Sequence, residues 1–597
     1  MSAKQTVAGS IPVETKNALS IFSDYNSFNL IKKSTMVKMK QRNQQLKSAL
    51  GAMSSKETIE EIKNIPQEDT VNKQGFKAYS LPEELRLLMM LNTLKLQPQY
   101  YRTENETMRE LRDLVEHLDP YFVAQAIVYS RCMGDGMRSI NHLAAALLAP
   151  LTKGLEWGKR FYGPFDAKKH KNGCIFRPDD MSEIKDVIYA LGGHSLPATV
   201  RKGFAAAIES FDTYRLAKYK KTIIDVANLV HPDPKKSNAE FTNELGEVFK
   251  TIDALMKGIN VTADTWEAAQ SEAGQEVAKA VKEGKLTKTE AEKVLSEAKA
   301  DNWEALLKDK KLGILAALRN IRNMMNNPRK EMIDMWCELI SDQKIIKKNL
   351  VLPIYFDLAY DVVDREFHYN DYAPQVMKAL QDAYIASIPN LASVFTGKTL
   401  IMVDVSGSMG CGISNGKMLV GTRASRTRFG LSHGSSVYDD LSTSCCGYKA
   451  GLIAATVAKA TGADVIQFGD YARRVKYDKN KNVFALAKDL GSPMNECTDL
   501  GSAFKLITGE QAKYDRIVII SDNEINSYDL TSSAYKNYLR VCSPYVYVVD
   551  LAAYGTVPVA GDKISYFYGY GSQLYEDMAK KEFNPSAVID KVKQIVI

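Results

Sequence analysis

Hydrophobic periodicity changes once along this 597-residue chain, near Leu391, and that change limits the folds open to it. From about 76 to 390, apolar residues recur at helical spacing in PEELRLLMMLNTLKL, YFVAQAIVYSRCM, SINHLAAALLA, MSEIKDVIYAL, PATVRKGFAAAIESF and ILAALRNIRNMM. Strand signals are almost absent there. Many short amphipathic helices joined by brief turns predict an α-solenoid, with irregular repeats because no strict period is visible. Beyond Leu391, β-rich runs (TLIMVDV, DVIQFG, RIVIIS, YVYVVDL) alternate with helical ones (YKAGLIAATVAKATG, VFALAKDL, SYDLTSSAYKNYLRV), the pattern of a doubly wound parallel sheet.

The expected organisation is a polar, lysine-bearing extension over 1–75, a helical module over 76–390 and an α/β domain over 391–597. The extension reads as a segment that packs on something else, with no role assigned. Within the helical module, SEAGQEVAKAVKEGKLTKTEAEKVLSEAKADNW reads as solvent-facing helix broken at Gly284.

With 45% hydrophobic and 25% charged residues, the composition is that of a soluble globular protein. The longest apolar stretches, such as HLAAALLAP, fall short of the ~18 residues of a membrane span, and the N-terminal MSAKQTVAGSIPVETKN has no signal-peptide core. The expectation is a cytoplasmic protein with no membrane partner. Eight cysteines lie scattered without CxxC spacing, which argues against a disulfide framework or a common zinc module. The net charge of +7 is mild for a nucleic-acid binder, but residues 151–240 carry 16 Lys+Arg against 11 Asp+Glu, together with His170, His194 and His231. That is either an electrostatic footprint for phosphate or the solvated faces of ordinary helices.

The run LIMVDVSGSMG ends an apolar strand in D-x-S-x-S, gathering Asp404, Ser406 and Ser408 in one turn. Such oxygen ligands suit a hard divalent cation, Mg²⁺ above all, which keeps several waters. Thr498 in ECTDLGSAF and Asp522 after RIVIIS are expected at the same edge of a parallel sheet, where open α/β folds bind ligands. The alternative is that Asp404 caps its turn, with the serines as turn residues. The five residues resemble the metal-ion-dependent adhesion site (MIDAS) of von Willebrand factor A domains. That resemblance implies direct metal binding by Ser406, Ser408 and Thr498, with Asp404 and Asp522 binding directly or through water, and a sixth position open to a partner's carboxylate.

The helical segments resemble a second family. SLPATVRKGFAAAIESFDTYRLAKYKKTIIDVANLVHPDP, at 195–234, is similar to the signature of the TROVE module of the Ro autoantigen and its bacterial relatives. SRCMGDGMRSINHLAAALL lies upstream; DTWEA from Asp264, WEALLKDKKLGILAALRNIRNM from Trp303 and KKNLVLPIYFDLAY from Lys347 follow in family order. The resemblance covers roughly 80–597, because an A domain follows TROVE in Ro proteins. It implies HEAT-like helical repeats bent into a ring closed by the A domain. The hole would take single-stranded 3′ ends of misfolded RNA, and the outer basic surface small structured Y-like RNA, in an RNA quality-control or scaffold role. A ribonuclease or another protein would dock at the metal site.

By that resemblance Lys218 and His231 match positions that contact Y RNA, with Lys220 and Lys221 beside them. Thr222 stands where relatives have an arginine. Lysines neutralise phosphate without reading sequence, which suits selection by shape and a free end. Tyr214 and Tyr219 are candidates for base stacking, against the ordinary reading as core aromatics. His231 precedes a proline and is also placed to end its helix. Arg138, Arg201, Lys202, Arg319 and Arg322 are the candidates for the hole-facing side.

Residues 410–447 form an insertion where an A domain has a short turn, rich in glycine and serine and carrying Arg423, Arg426 and Arg428. Long loops of this kind are functional or disordered, so this one is expected to gate the metal site or extend the RNA surface. A zinc cluster of Cys411, His433, Cys445 and Cys446 is disfavoured because adjacent cysteines rarely share one ion. An esterase elbow is disfavoured too, since G-x-S-x-G needs glycine two residues before the nucleophile and Ser406 stands there before Ser408. No catalytic residues are expected. The competing reading is a metal-dependent protein-interaction scaffold that binds no RNA.

Overall fold

The structure, a computed structural model, describes residues 71–597, except chiefly for 95–98, 262–273, 421–444, 581–586 and a few isolated positions. The DTWEA motif, the break expected at Gly284 and most of the insertion lie outside the described residues, as does the extension up to residue 70. From Leu81 to Phe395 the chain is mainly helical. The elements used below are α1 (Ser139–Leu148), α2 (Pro178–Ala190), α3 (Ala198–Ser210), α4 (Thr213–Lys218), α5 (Lys220–Val230), α6 (Ile314–Arg319), α7 (Ile321–Asn326) and α8 (Pro353–Glu366).

ILAALRNIRNMM, expected as one helix, is two. Asn320 sits between α6 and α7 at φ −105°, ψ 18°, and its side-chain amide and backbone N–H both bond the Ala316 carbonyl, at 2.9 and 3.1 Å. An asparagine side chain competing for helix carbonyls in this way favours a turn. Two small hairpins also interrupt the helices, Phe165–Asp166 with Lys171–Asn172 and Glu240–Thr242 with Val248–Lys250. Strands of two or three residues are too short to show a two-residue period.

The C-terminal part is built on a six-stranded mixed sheet: β1 (Thr399–Asp404), β2 (Asp464–Phe468), β3 (Ala472–Val475), β4 (Arg516–Ser521), β5 (Tyr545–Asp550) and β6 (Ile564–Tyr568). Its spatial order is 3-2-1-4-5-6, parallel throughout except for the antiparallel edge strand β3. Helices α9 (Cys446–Thr461), α10 (Leu500–Gly509) and α11 (Tyr528–Tyr538) cover it. In α9 a Cβ on Gly451 would come within 2.0 Å of the Ala487 carbonyl oxygen, so glycine is what lets this helix reach its neighbour, Val483–Leu490. The insertion begins as a hairpin, Cys411–Ser414 paired with Lys417–Val420.

Side chains alternate across the central strands, and each face belongs to a different apolar core. Leu400, Met402, Ile517, Ile519, Val546 and Val548 share one cluster with helices from 81 to 261. Ile401, Val403, Val518, Ile520 and Val549 share the other with Trp303, Trp336 and the helices up to 391. Full burial of each such side chain contributes about 1.5–3 kcal/mol, which joins helical and α/β parts through common cores. The helical run is also tied to the C-terminal part at both of its ends. Tyr79 and Ser80 pair with Val557 and Thr556, the C-terminal Ile597 N–H donates to the Tyr121 hydroxyl, and Phe395 leads into β1.

Candidate functional site

In the order 3-2-1-4-5-6, connections from β1 and β4 leave toward opposite sides, opening a crevice beyond the carboxyl ends of those strands. Asp404 ends β1 and Asp522 directly follows β4, so the fold delivers both carboxylates to that crevice. Both are buried. Asp404 accepts the Ser406 N–H through Oδ1 at 2.9 Å and the Ser521 hydroxyl through Oδ2 at 2.5 Å. The Ser406 and Ser408 hydroxyl oxygens lie 3.2 Å apart, and the Ser408 hydroxyl lies near enough to Asp522 to favour its charged form.

Burial pushes Asp522 well above the usual carboxylate range, and the charge of Asp404 pushes it further. Asp404 is raised as well, by burial, against hydrogen bonds from Ser406 and Ser521 that hold it down. Two buried carboxylates close enough to repel, with the Ser406 and Ser408 hydroxyls beside them, form an oxygen-only donor set that suits a hard divalent cation. Among the described residues, no three His, Cys, Asp or Glu side chains cluster to hold a metal ion. Here two of the four donors are serines.

Thr498 joins this edge through its backbone. Its N–H donates to Asn526 Oδ1 at 2.6 Å, and its carbonyl accepts the Asn526 N–H at 3.1 Å. The segment before it lines the β1 turn, with Met494 N–H on the Val405 carbonyl at 2.7 Å and Gly407 N–H on the Glu496 carbonyl at 2.9 Å. Asn526, which the motif spacing does not single out, fixes the Thr498 loop to the loop that carries Asp522. Cys445 caps α9, its sulfur accepting the Tyr448 N–H at 3.3 Å, and the Cys446 thiol points to the Leu551 carbonyl; the side chains of Cys411 and His433 lie outside the described residues.

The basic candidates fall into two groups. Lys218, Lys220, Lys221 and His231 are all exposed along α4 and α5. Lys218 lies over the Tyr214 ring and donates to its hydroxyl at 3.0 Å, while Tyr219 accepts from Arg177 at 2.6 Å. Arg177, another residue missed in the sequence, pairs with Asp179, which holds Arg138 at 2.7 Å. Arg138 therefore belongs to the same stretch of surface as the Lys218 turn. His231 closes α5 in the left-handed region at φ 51°, about 16 Å along the helix from Lys220. Arg201 and Lys202 are exposed near the start of α3, which packs on α5.

The second group lies in the other helical half. Arg319 stacks on Tyr355 and donates to its hydroxyl at 3.2 Å, and Arg322 forks onto Glu366, so both lean on α8. Arg322 is thus already neutralised by Glu366. Lys220 and Lys221 occupy the first two positions of that helix, where the backbone dipole already presents positive charge. Cations there cost the helix about 0.3–1 kcal/mol each and concentrate positive potential at one exposed spot.

No protein-family model matches the chain, and no curated protein matches it. Among solved structures, the crystal structure of the Ro (Rsr) protein of Deinococcus radiodurans aligns over 84% of this chain and 100% of that one, at a TM-score of 0.50 and 16% identity. The fold is Ro-like. The helical segments resembling TROVE and the C-terminal sheet therefore come in the order and architecture of a Ro fold. Among the described residues, no helix is long and apolar enough to cross a membrane.

Proposed function

We propose that this chain is a non-catalytic RNA-binding protein built as a TROVE-type ring of helical repeats closed by a von Willebrand A domain. The observation that carries this reading is the accumulation of Lys218, Lys220 and Lys221 at the α4–α5 turn, with Arg177 and Arg138 linked to it through Tyr219 and Asp179. Helix α5 is weakened by the two lysines at its head, so the placement makes sense where an anion binds. Phosphate contacts there would hold a small structured, Y-like RNA by shape and charge. Ring closure is supported by the helical run starting at Ser80, which pairs with Thr556 of the C-terminal part, and ending at Thr399 in β1, with each half sharing a core with one sheet face. Single-stranded 3′ ends of misfolded RNA would enter the hole.

In this reading Asp404, Ser406, Ser408, Asp522 and Thr498 form a MIDAS that holds Mg²⁺. The buried carboxylate pair favours that assignment and a role for the cation in structure or in docking a partner such as a ribonuclease. The same pair supports a second reading, a metal-dependent protein scaffold without RNA. Crosslinking and sequencing of RNA copurified with the wild type and a Lys218→Glu/Lys221→Glu/His231→Ser variant, at matched salt, separates the two. A defined small RNA lost in the variant supports the ring reading; absence of RNA from both samples overturns it in favour of the scaffold.

A further inference from the structure

A turn made by residues 71–77 lies across the loop that follows Asp522. Asn72 shapes the turn: its N–H donates to the Phe76 carbonyl at 2.7 Å, and its Oδ1 accepts the N–H groups of Gln74 and Phe76 at 3.1 and 2.9 Å. Gly75 takes φ +83°, a conformation that favours glycine. Val71 and Lys77 bridge to close it.

Three amide contacts tie this turn to the loop, across some 450 residues of chain. Asn72 Nδ2 donates to the Ile525 carbonyl at 2.9 Å, Gln74 Nε2 donates to the Glu524 carbonyl at 2.8 Å, and Asn526 Nδ2 donates to Gln74 Oε1 at 2.6 Å. Asn72 is buried in doing so. Asn526 is the shared element, because its Oδ1 accepts the Thr498 N–H at 2.6 Å. One asparagine side chain thus reads both the strap and the Thr498 loop, and the backbone from Asp522 to Asn526 is only four residues long.

The geometry points to residues 71–77 as a strap that positions the candidate cation site through Asn526, so that docking of the strap and binding of the cation favour each other. The inference rests on the metal-site reading above and adds Asn72, Gln74 and Asn526 as positioning residues. None of the three needs to touch the ion. Their contribution is to hold the Thr498 and Asp522 loops together, and linkage then requires that a bound cation tighten the strap by the same factor as the strap tightens the cation.

The test measures Mn²⁺ binding to the full chain by titration, with amide hydrogen exchange read in the same samples. Wild type is compared with Gln74→Ala, which removes only strap contacts, and Asn526→Ala, which removes both. Thermal melts confirm that each variant is folded. Each variant loses two side-chain hydrogen bonds, but only Asn526→Ala loses one made directly to the Thr498 loop, so Mn²⁺ binding should weaken about threefold in Gln74→Ala and about tenfold in Asn526→Ala. Mn²⁺ is expected to slow exchange at 72–77 in the wild type but not in Gln74→Ala. Unchanged Mn²⁺ affinity in both variants, or exchange at 72–77 that ignores Mn²⁺, overturns the strap while leaving the metal site standing. A wild type that binds no Mn²⁺ overturns the metal site itself, and the strap with it.

Discussion

The Tyr448 hydroxyl donates to Oδ1 of Asp357 at 2.6 Å, with both side chains buried, and so fastens α9, behind the D-x-S-x-S turn, to α8 of the helical half. Oδ2 of Asp357 is buried without a partner. Burial raises the Asp357 pKa to about 7, and the Tyr448 hydrogen bond only partly offsets it. Because the folded value lies above the ordinary 3.8, the carboxyl is neutral in the native protein while the unfolded chain is ionised. Its stabilising effect is complete below the ordinary value and is lost as pH rises through about 7. Urea unfolding at several pH values should show a decline of up to about 4 kcal/mol between pH ~4 and ~7 from this group. Asp357→Asn should flatten that part of the slope.

Asp404 and Asp522 lead to a prediction of opposite character. In the absence of a cation their burial together is unfavourable, so Asp522→Asn should leave the melting temperature unchanged or raise it slightly. Wild-type protein should gain stability on adding Mg²⁺, by about 2.7 kcal/mol at a hundredfold excess over Kd, whereas Asp522→Asn should gain none. A differential scanning fluorimetry series with Mg²⁺ against EDTA measures both effects. Equal Mg²⁺ responses in the two proteins would remove Asp522 from the ligand set.

What could be read from the sequence follows from where burial is symmetrical. β1, β4 and β5 are buried on both faces, so TLIMVD, RIVIIS and YVYVVD are nearly unbroken apolar runs that announce themselves. The edge strand β3, ARRV, pairs on one side only, and its arginines hide it. β6, ISYFY, is a mostly buried strand parallel to β5 that the alternation of β-rich and helical runs does not announce. The D-x-S-x-S turn is local and therefore legible. The contacts of Asn526 with Thr498 and Gln74 join residues far apart in sequence through a side-chain amide, and no periodicity encodes them. Arg177 was equally hidden, since its place beside Tyr219 depends on how α2 meets the α4–α5 turn.

The two groups of cations should behave differently toward RNA. Arg322 spends its guanidinium on Glu366, whereas Lys221 stands exposed at the head of α5. Lys221→Ala should weaken RNA binding several-fold and reduce the dependence of log K on log salt by nearly one unit, the signature of one lost phosphate contact. Arg322→Ala should change either quantity little. Filter binding across a salt series with a structured small RNA decides the matter, and a larger effect at Arg322 would shift the RNA path to the α8 side.

Asp180 supports the basic surface from below. It is fully buried, accepts both Nε and Nη2 of Arg131 and the ring Nε2 of His142, and takes the N–H groups of Phe176 and Arg177 at 3.1 and 2.8 Å. Burial alone would raise its pKa, but the His142 hydrogen bond and the Arg131 charge outweigh burial and hold the carboxyl well below the usual range. A depressed folded value means stability that is present above the ordinary carboxylate pKa and lost as pH falls through the folded one, so this group contributes to unfolding only in strong acid. Asp180→Ala strands the buried Arg131 charge and should cost about 3–5 kcal/mol in urea unfolding at neutral pH. Because Asp180 also anchors the Arg177 backbone, Asp180→Asn, which keeps the shape while removing the charge, should loosen Arg177 on Tyr219. RNA affinity should then fall although no exposed cation has been touched. If Asp180→Asn stays folded and binds RNA as the wild type does, the phosphate contacts lie on the Lys218–Lys221 side of Tyr219 and exclude Arg177.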